Sequence, residues 1–86
     1  MNLLGNQELV KQVASGSGFI DFLTLKEKDN PVRIQVYDAN GRSVKKIELS
    51  ETEDRFKIDT TDLIAGVYIV QARSYTKSGS LKFFVN

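Results

Sequence analysis

The side chains able to do chemistry in this chain are few, and their spacing serves it poorly. Its 86 residues include no histidine and no cysteine, which removes the commonest general base, thiolate nucleophiles, disulfides and sulfur metal sites. Carboxylates remain. Glu51, Glu53 and Asp54 crowd into Ser50-Glu51-Thr52-Glu53-Asp54, but acid–base work needs burial or a like charge to raise a pKa. The stretch is polar throughout, so a solvated loop is expected. Asp59 and Asp62 are the nearest approach to a Ca²⁺ pair, yet two carboxylates separated by threonines fall short of the roughly six to eight oxygens such an ion gathers. Capping of a turn by Asp59, Thr60 and Thr61 is the expected role. Phe19, Phe22, Tyr37, Tyr75 and Phe84 stand near Lys and Arg, the raw material of base stacking in an oligonucleotide-binding barrel. The 12 basic and 11 acidic residues nevertheless leave a net charge of +1, with the signs interspersed. No nucleic-acid or anionic-membrane footprint follows. The chain therefore reads as a non-enzyme with no catalytic residue, no cofactor and no metal.

Any surface these residues form must be held by a small core. About 86 residues make one domain that buries about 60% of its unfolded surface, so a deep cleft is not expected. The N-terminal MNLLGNQELVKQ lacks a basic segment followed by an apolar run, and no stretch approaches the ~20 apolar residues of a spanning helix. No membrane insertion is expected, and any export signal is expected outside these residues.

Short runs of period-two alternation bounded by turn residues dominate the rest, the pattern of a two-layer β domain. After Pro31, Val32, Ile34 and Val36 alternate with Arg33, Gln35 and Tyr37, giving one buried and one wetted face. Asp38-Ala39-Asn40-Gly41 has the signature of a type I turn closed by a glycine bulge. A two-residue Asn40-Gly41 loop would set Val36 opposite Lys45. A three-residue Ala39-Asn40-Gly41 loop sets Val36 opposite Val44 and is preferred, with a bulge near Lys45-Lys46 to turn Val44, Ile47 and Leu49 all inward. Further strands are expected at Phe56 to Ile58, Val67 to Tyr75, and Leu81 to Val85 beyond a turn at Thr76-Lys77-Ser78-Gly79. Phe19 to Lys26 is another, although Phe22-Leu23 places apolar groups on both faces. Glu8 to Ser15 supplies a seventh, in preference to a short helix using Leu9, Val10 and Val13.

The expected fold class is thus all-β, an immunoglobulin-like antiparallel β-sandwich of about seven strands. Residues 1–18 form an N-terminal strand or a linker, with Ser15-Gly16-Ser17-Gly18 as a loop or a foreign junction, and residues 19–86 form the sandwich. Within it Leu63-x-x-Gly66-x-Tyr68 reads as an inter-sheet tyrosine corner, its ring inward, its hydroxyl bonded to upstream backbone, and Gly66 supplying a positive φ. Asp38, Asn40, Gly41, Leu63, Gly66 and Tyr68 are accordingly structural. If Leu81, Phe83 and Val85 point inward, Phe84 points outward beside Lys82, where it is expected to be either a partner contact or an aggregation hazard.

With these blocks in place, the chain resembles the type A C-terminal sorting domains that direct Bacteroidota proteins through the type nine secretion system. The resemblance is carried by DFLTLK at 21–26, VRIQVYDANGRSV at 32–44, IDTTDLIAGVYIV at 58–70 and KFFV at 82–85, over roughly the last three quarters of the chain. Members usually carry a Tyr-Pro-Asn-Pro-like element before the first of these, where this chain has ASGSGFI; Asn30-Pro31 comes one strand later. The blocks are also similar to those of small secreted Bacteroides proteins with an immunoglobulin-like fold and no assigned function. The first resemblance implies an address recognised during outer-membrane translocation, often removed as cargo is attached to the surface. It makes Leu81, Lys82, Phe83, Phe84, Val85 and Asn86 the expected contacts with a protein partner of the secretion machinery. The second implies a stand-alone secreted binding module that uses an edge strand or the loops Asp38 to Arg42 and Thr76 to Ser80. Both imply a secreted or cell-surface protein.

Overall fold

The computed structural model describes residues 9–25, 31–50, 52–75 and 77–86. Glu8, Lys26, Asn30, Glu51 and Thr76, to which parts of the reading above extend, lie outside these residues. Alternation becomes strand wherever it was expected: β1 (Val10–Gly16), β2 (Phe19–Thr24), β3 (Val32–Tyr37), β4 (Ser43–Leu49), β5 (Arg55–Asp59), β6 (Gly66–Arg73) and β7 (Ser78–Val85). They form two antiparallel sheets, ordered β1-β2-β5 and β4-β3-β6-β7. This is the sandwich the sequence implies. The segment of Val10 and Val13 is strand and not helix, with Leu9 in the turn before it.

Every second residue closes the core between the layers. Val32, Ile34 and Val36 of β3, Tyr68, Val70 and Ala72 of β6 and Phe83 and Val85 of β7 form one core cluster with Phe56 and Ile58 of the other sheet's β5, all buried. Ile20, Phe22 and Thr24 are the inward set of β2, which settles the ambiguity at Phe22-Leu23. Thr24 keeps its hydroxyl satisfied by donating to the Asp54 carbonyl at 3.2 Å. Four rings join the two layers. Phe22 stacks on Phe56 at 5.1 Å and meets the edge of Phe83 at 5.6 Å, while Phe83 stacks on Tyr68 at 5.7 Å. Each such contact adds about 0.5–1.5 kcal/mol beyond area burial. Leu9 and Val10 are also buried to 1% exposure, so β1 closes one end of the core before running out along the edge of β2.

Register departs from expectation at one hairpin. Gly41 has a φ of 86° and donates to the Asp38 carbonyl at 3.0 Å, Asp38 N–H donates to Arg42 O at 2.9 Å, and Tyr37 faces Ser43. That is the three-residue loop. One step later Val36 faces Lys45 and not Val44, which is the extra residue of a bulge and 40% exposed. The bulge thus falls before Lys45 and not at Lys45-Lys46. Parity is the cause: Ile47 and Leu49 oppose Ile34 and Val32 only if the odd residue is absorbed ahead of them, so two apolar groups prevail over one. Lys45 takes the inward-facing place at the sandwich end. Its stem is sheltered and its ammonium lies 3.1 Å from both carboxylate oxygens of Asp62, the snorkelling expected of a long cation.

Two boundaries also move. Strand β6 ends at Arg73, leaving Tyr75 exposed at the hairpin tip, and β7 begins at Ser78 and not Leu81. Gly79, expected in the turn, is buried in the strand opposite Ala72. The turn is shorter because Ser74 N–H already donates to Lys77 O at 2.8 Å.

The tyrosine corner forms as expected. Tyr68 is buried, its hydroxyl donates to the Ile64 carbonyl at 2.6 Å, and Gly66 has a φ of 153°. Tyr68→Phe keeps the ring and loses the bond, so the expected cost is about 0.5–1.5 kcal/mol. Differential scanning calorimetry should show a midpoint lower by roughly 4–8 °C per kcal/mol. An unchanged midpoint would show that the corner bond does not hold the β5–β6 connection.

Candidate sorting surface

Strand β7 carries five of the six residues expected to meet a partner, and Asn86 follows directly on its end. It hydrogen-bonds only to β6 and forms the rim of its sheet, with β1 of the other layer running alongside. Its pleat divides the six. Phe83 and Val85 are buried and Leu81 packs against the core, whereas Lys82, Asn86 and Phe84, at 64% exposure, face solvent. The inward set anchors the strand, and the outward set is available for contact.

Phe84 does not stand alone. Across the ladder it faces Val67, and Lys82 faces Ile69, so an apolar strip crosses the outer face of β6 and β7. Ile64, 83% exposed, was not singled out in the sequence. Leu63 packs against the core and the Tyr68 hydroxyl donates to the Ile64 carbonyl, while the Ile64 side chain stands in solvent. A hollow of about 550 Å³ lies beside the end of β7, between the β1–β2 turn, Thr60, Phe84 and Asn86.

The carboxylates of the turns do structural work. Asp38 accepts hydrogen bonds from the backbone N–H groups of Asn40 and Arg42, each at 2.9 Å, and its other oxygen meets Arg42 Nε at 3.3 Å. The Arg42 backbone bond is the chief cause of its lowered pKa. Asp59 accepts from the Thr61 hydroxyl at 2.6 Å and the Thr61 N–H at 2.9 Å, and the hydroxyl bond chiefly lowers its pKa. A pKa lowered by folding contributes stability above the unfolded value and loses it as pH falls through the folded one. Urea midpoints are therefore expected to fall as pH drops below the ordinary carboxylate value of 3.8, and Asp38→Asn with Asp59→Asn should flatten that fall. A double variant with the same acid slope would contradict the assignment.

Among the described residues no group of three or more metal-ligating side chains gathers, and no helix is long and apolar enough to cross a membrane. What the geometry offers is an anchored rim strand with an outward row, suited to surface contact. Comparison with curated proteins gives no match. The family model of the secretion system C-terminal sorting domain matches residues 19–86, from the first residue of β2 through β7. By that match, which spans most of the chain, this protein belongs to the family of secretion system C-terminal sorting domains.

Proposed function

We propose that the domain is a non-catalytic sorting module whose readout is the outward row of β7, Lys82, Phe84 and Asn86, bound together with the open edge of that strand by a protein of the secretion machinery. Leu81, Phe83 and Val85 act by holding this row in place. The family makes the protein secreted or cell-surface, and the reading assigns the sorting step to a particular strand. What supports it most is that one strand at the rim of its sheet buries Phe83 while exposing Phe84. An extended segment of the partner added to that edge would gain main-chain hydrogen bonds for affinity, with Phe84 and Lys82 supplying side-chain specificity.

The test separates readout from folding. The chain is fused after a secreted reporter in a Bacteroidota host, with and without Lys82→Ser and Phe84→Ser. The double variant should melt within a few degrees of the parent, since surface changes usually stay within about 0.5 kcal/mol. Surface display should fall by about tenfold or more, the loss from removing one aromatic anchor. Undiminished display of a folded double variant would overturn the reading.

A further inference from the structure

Charges that alternate along the sequence separate by face in the folded sheet. On the outer face of β4-β3-β6-β7, the register sets Glu48, Arg33, Arg73 and Ser78 in one row, and Lys46, Gln35, Gln71 and Ser80 in the next. Lys82 stands one row further, beside Ile69 and Tyr37. Four cations thus share this face with one carboxylate, Glu48, among the residues of these strands.

Arg33 and Arg73 are directly opposite each other, an arrangement that destabilises a sheet. Little in the fold relieves it. Glu48 approaches Arg33 at 3.7 Å with both side chains about four-fifths exposed, a geometry of small net worth. On its other flank Arg73 faces Ser78, and no described carboxylate lies within ion-pair distance of it. Between the arginines and the two glutamines is a hollow of about 240 Å³, whose β4 side is lined by Lys46 and Glu48. A second, of about 320 Å³, continues from the same arginines to Pro31 and Tyr75, whose ring is exposed at the rim. The second reaches the lower end of the about 300–1,000 Å³ of small-ligand sites and the first falls below it. The Tyr37 hydroxyl donates its one proton to Gln35 Oε1, with Gln71 Oε1 further off at 3.4 Å, which orients the Gln35 amide and leaves its nitrogen as a donor.

We propose that this face binds an oxyanion carried on a hydroxylated ring, the chemistry of an acidic sugar. Arg33 and Arg73 clasp the carboxylate or phosphate through their planar forks, Gln35 and Gln71 pair with adjacent hydroxyls, and Tyr75 covers the apolar side of the next ring. The bound anion neutralises the pair of like charges, so ligand and sheet stabilise each other.

The experiment titrates the isotope-labelled chain with trigalacturonate, a neutral galactose trisaccharide, inorganic phosphate and a glutamate-rich peptide, following amide resonances. Trigalacturonate should shift Arg33, Gln35, Gln71 and Arg73, and bind more tightly than phosphate or the peptide; the neutral sugar should leave them in place. Arg73→Gln should weaken trigalacturonate by about tenfold or more, the worth of a charged bidentate contact, with a thermal midpoint unchanged or raised. Arg73→Lys, which keeps the charge but not the fork, should fold and bind at least severalfold more weakly. The proposal is overturned by equal binding of the neutral sugar, by phosphate or the peptide binding as tightly as the sugar acid, by undiminished binding in either variant, or by a lowered midpoint in Arg73→Gln, which would make that arginine a structural residue.

Discussion

Phe83→Ala is expected to remove a large share of the domain's stability, whereas Phe84→Ala, one residue away, shifts its melting by no more than a few degrees. Phe83 is 2% exposed and is the ring through which Tyr68 of its own sheet meets Phe22 of the other. Truncating such a ring costs about 3–5 kcal/mol, transfer and cavity together. A domain of this size holds about 4–13 kcal/mol in all, at roughly 0.05–0.15 kcal/mol per residue. The loss is therefore a large share of the total. Far-ultraviolet circular dichroism against temperature should show a midpoint lower by tens of degrees, or no cooperative transition. A variant that melts with the parent would mean that the rings do not bridge the layers. The contrast bears on function as well: deleting residues 81–86 removes anchor and readout together, so only single-face substitutions can separate them.

Removing residues 1–18 is expected to destabilise the domain almost as severely, although the family match begins at Phe19. Leu9 and Val10 are each 1% exposed, and burying a side chain of that kind is worth about 1.5–3 kcal/mol. The truncation also strips β1 from β2, leaving β2-β5 as a two-stranded sheet, which is marginal by itself. Its newly opened edge would be an aggregation site. Lock of β1 to its neighbour has a visible device. A side chain at Gly16 would run into the Phe19 ring opposite it, and Lys57 covers that ring at 4.5 Å from its centroid. Urea titration of the 19–86 fragment should give a midpoint well below that of the whole chain, with oligomers on size exclusion. A monomeric fragment as stable as the parent would make the first 18 residues a passenger.

The sheet faces of β3, β5 and β7 were legible because alternation of apolar and polar residues is itself the record of burial on one side, whereas the continuous apolar run Val67-Tyr68-Ile69-Val70 of β6 showed a strand and not its inward face. So was the corner, since Leu63, Gly66 and Tyr68 each answer a distinct local need. Val44 was not, because a bulge is decided by competition among residues across a hairpin, and Ile47 with Leu49 outweighed it. The candidate site divided in the same way. Phe84 was readable as outward from the parity of Phe83 and Val85, while Ile64 depends on how a connection bends. The cationic row of Arg33 and Arg73 was invisible for a plainer reason: residues forty apart meet only when β3 and β6 pair, and a chain with balanced charge gives no hint that one face holds the excess.

The placement of β1 and β7 has a mechanical meaning. Both are rim strands, each bonded to one neighbour in its own sheet, and they approach each other between the two layers. The end of β7 sits by the β1–β2 turn, so β1 begins at the far end of the domain from Asn86. Tension drawn between Leu9 and Asn86 therefore runs along both strands and loads their rows of hydrogen bonds in shear, all at once, where a peeling geometry would break them in turn. Pulling at Leu9 or Asn86 loads the β1–β2 or β6–β7 ladder as a unit, so unfolding under such a load is expected at higher force than peeling of the same strands would need.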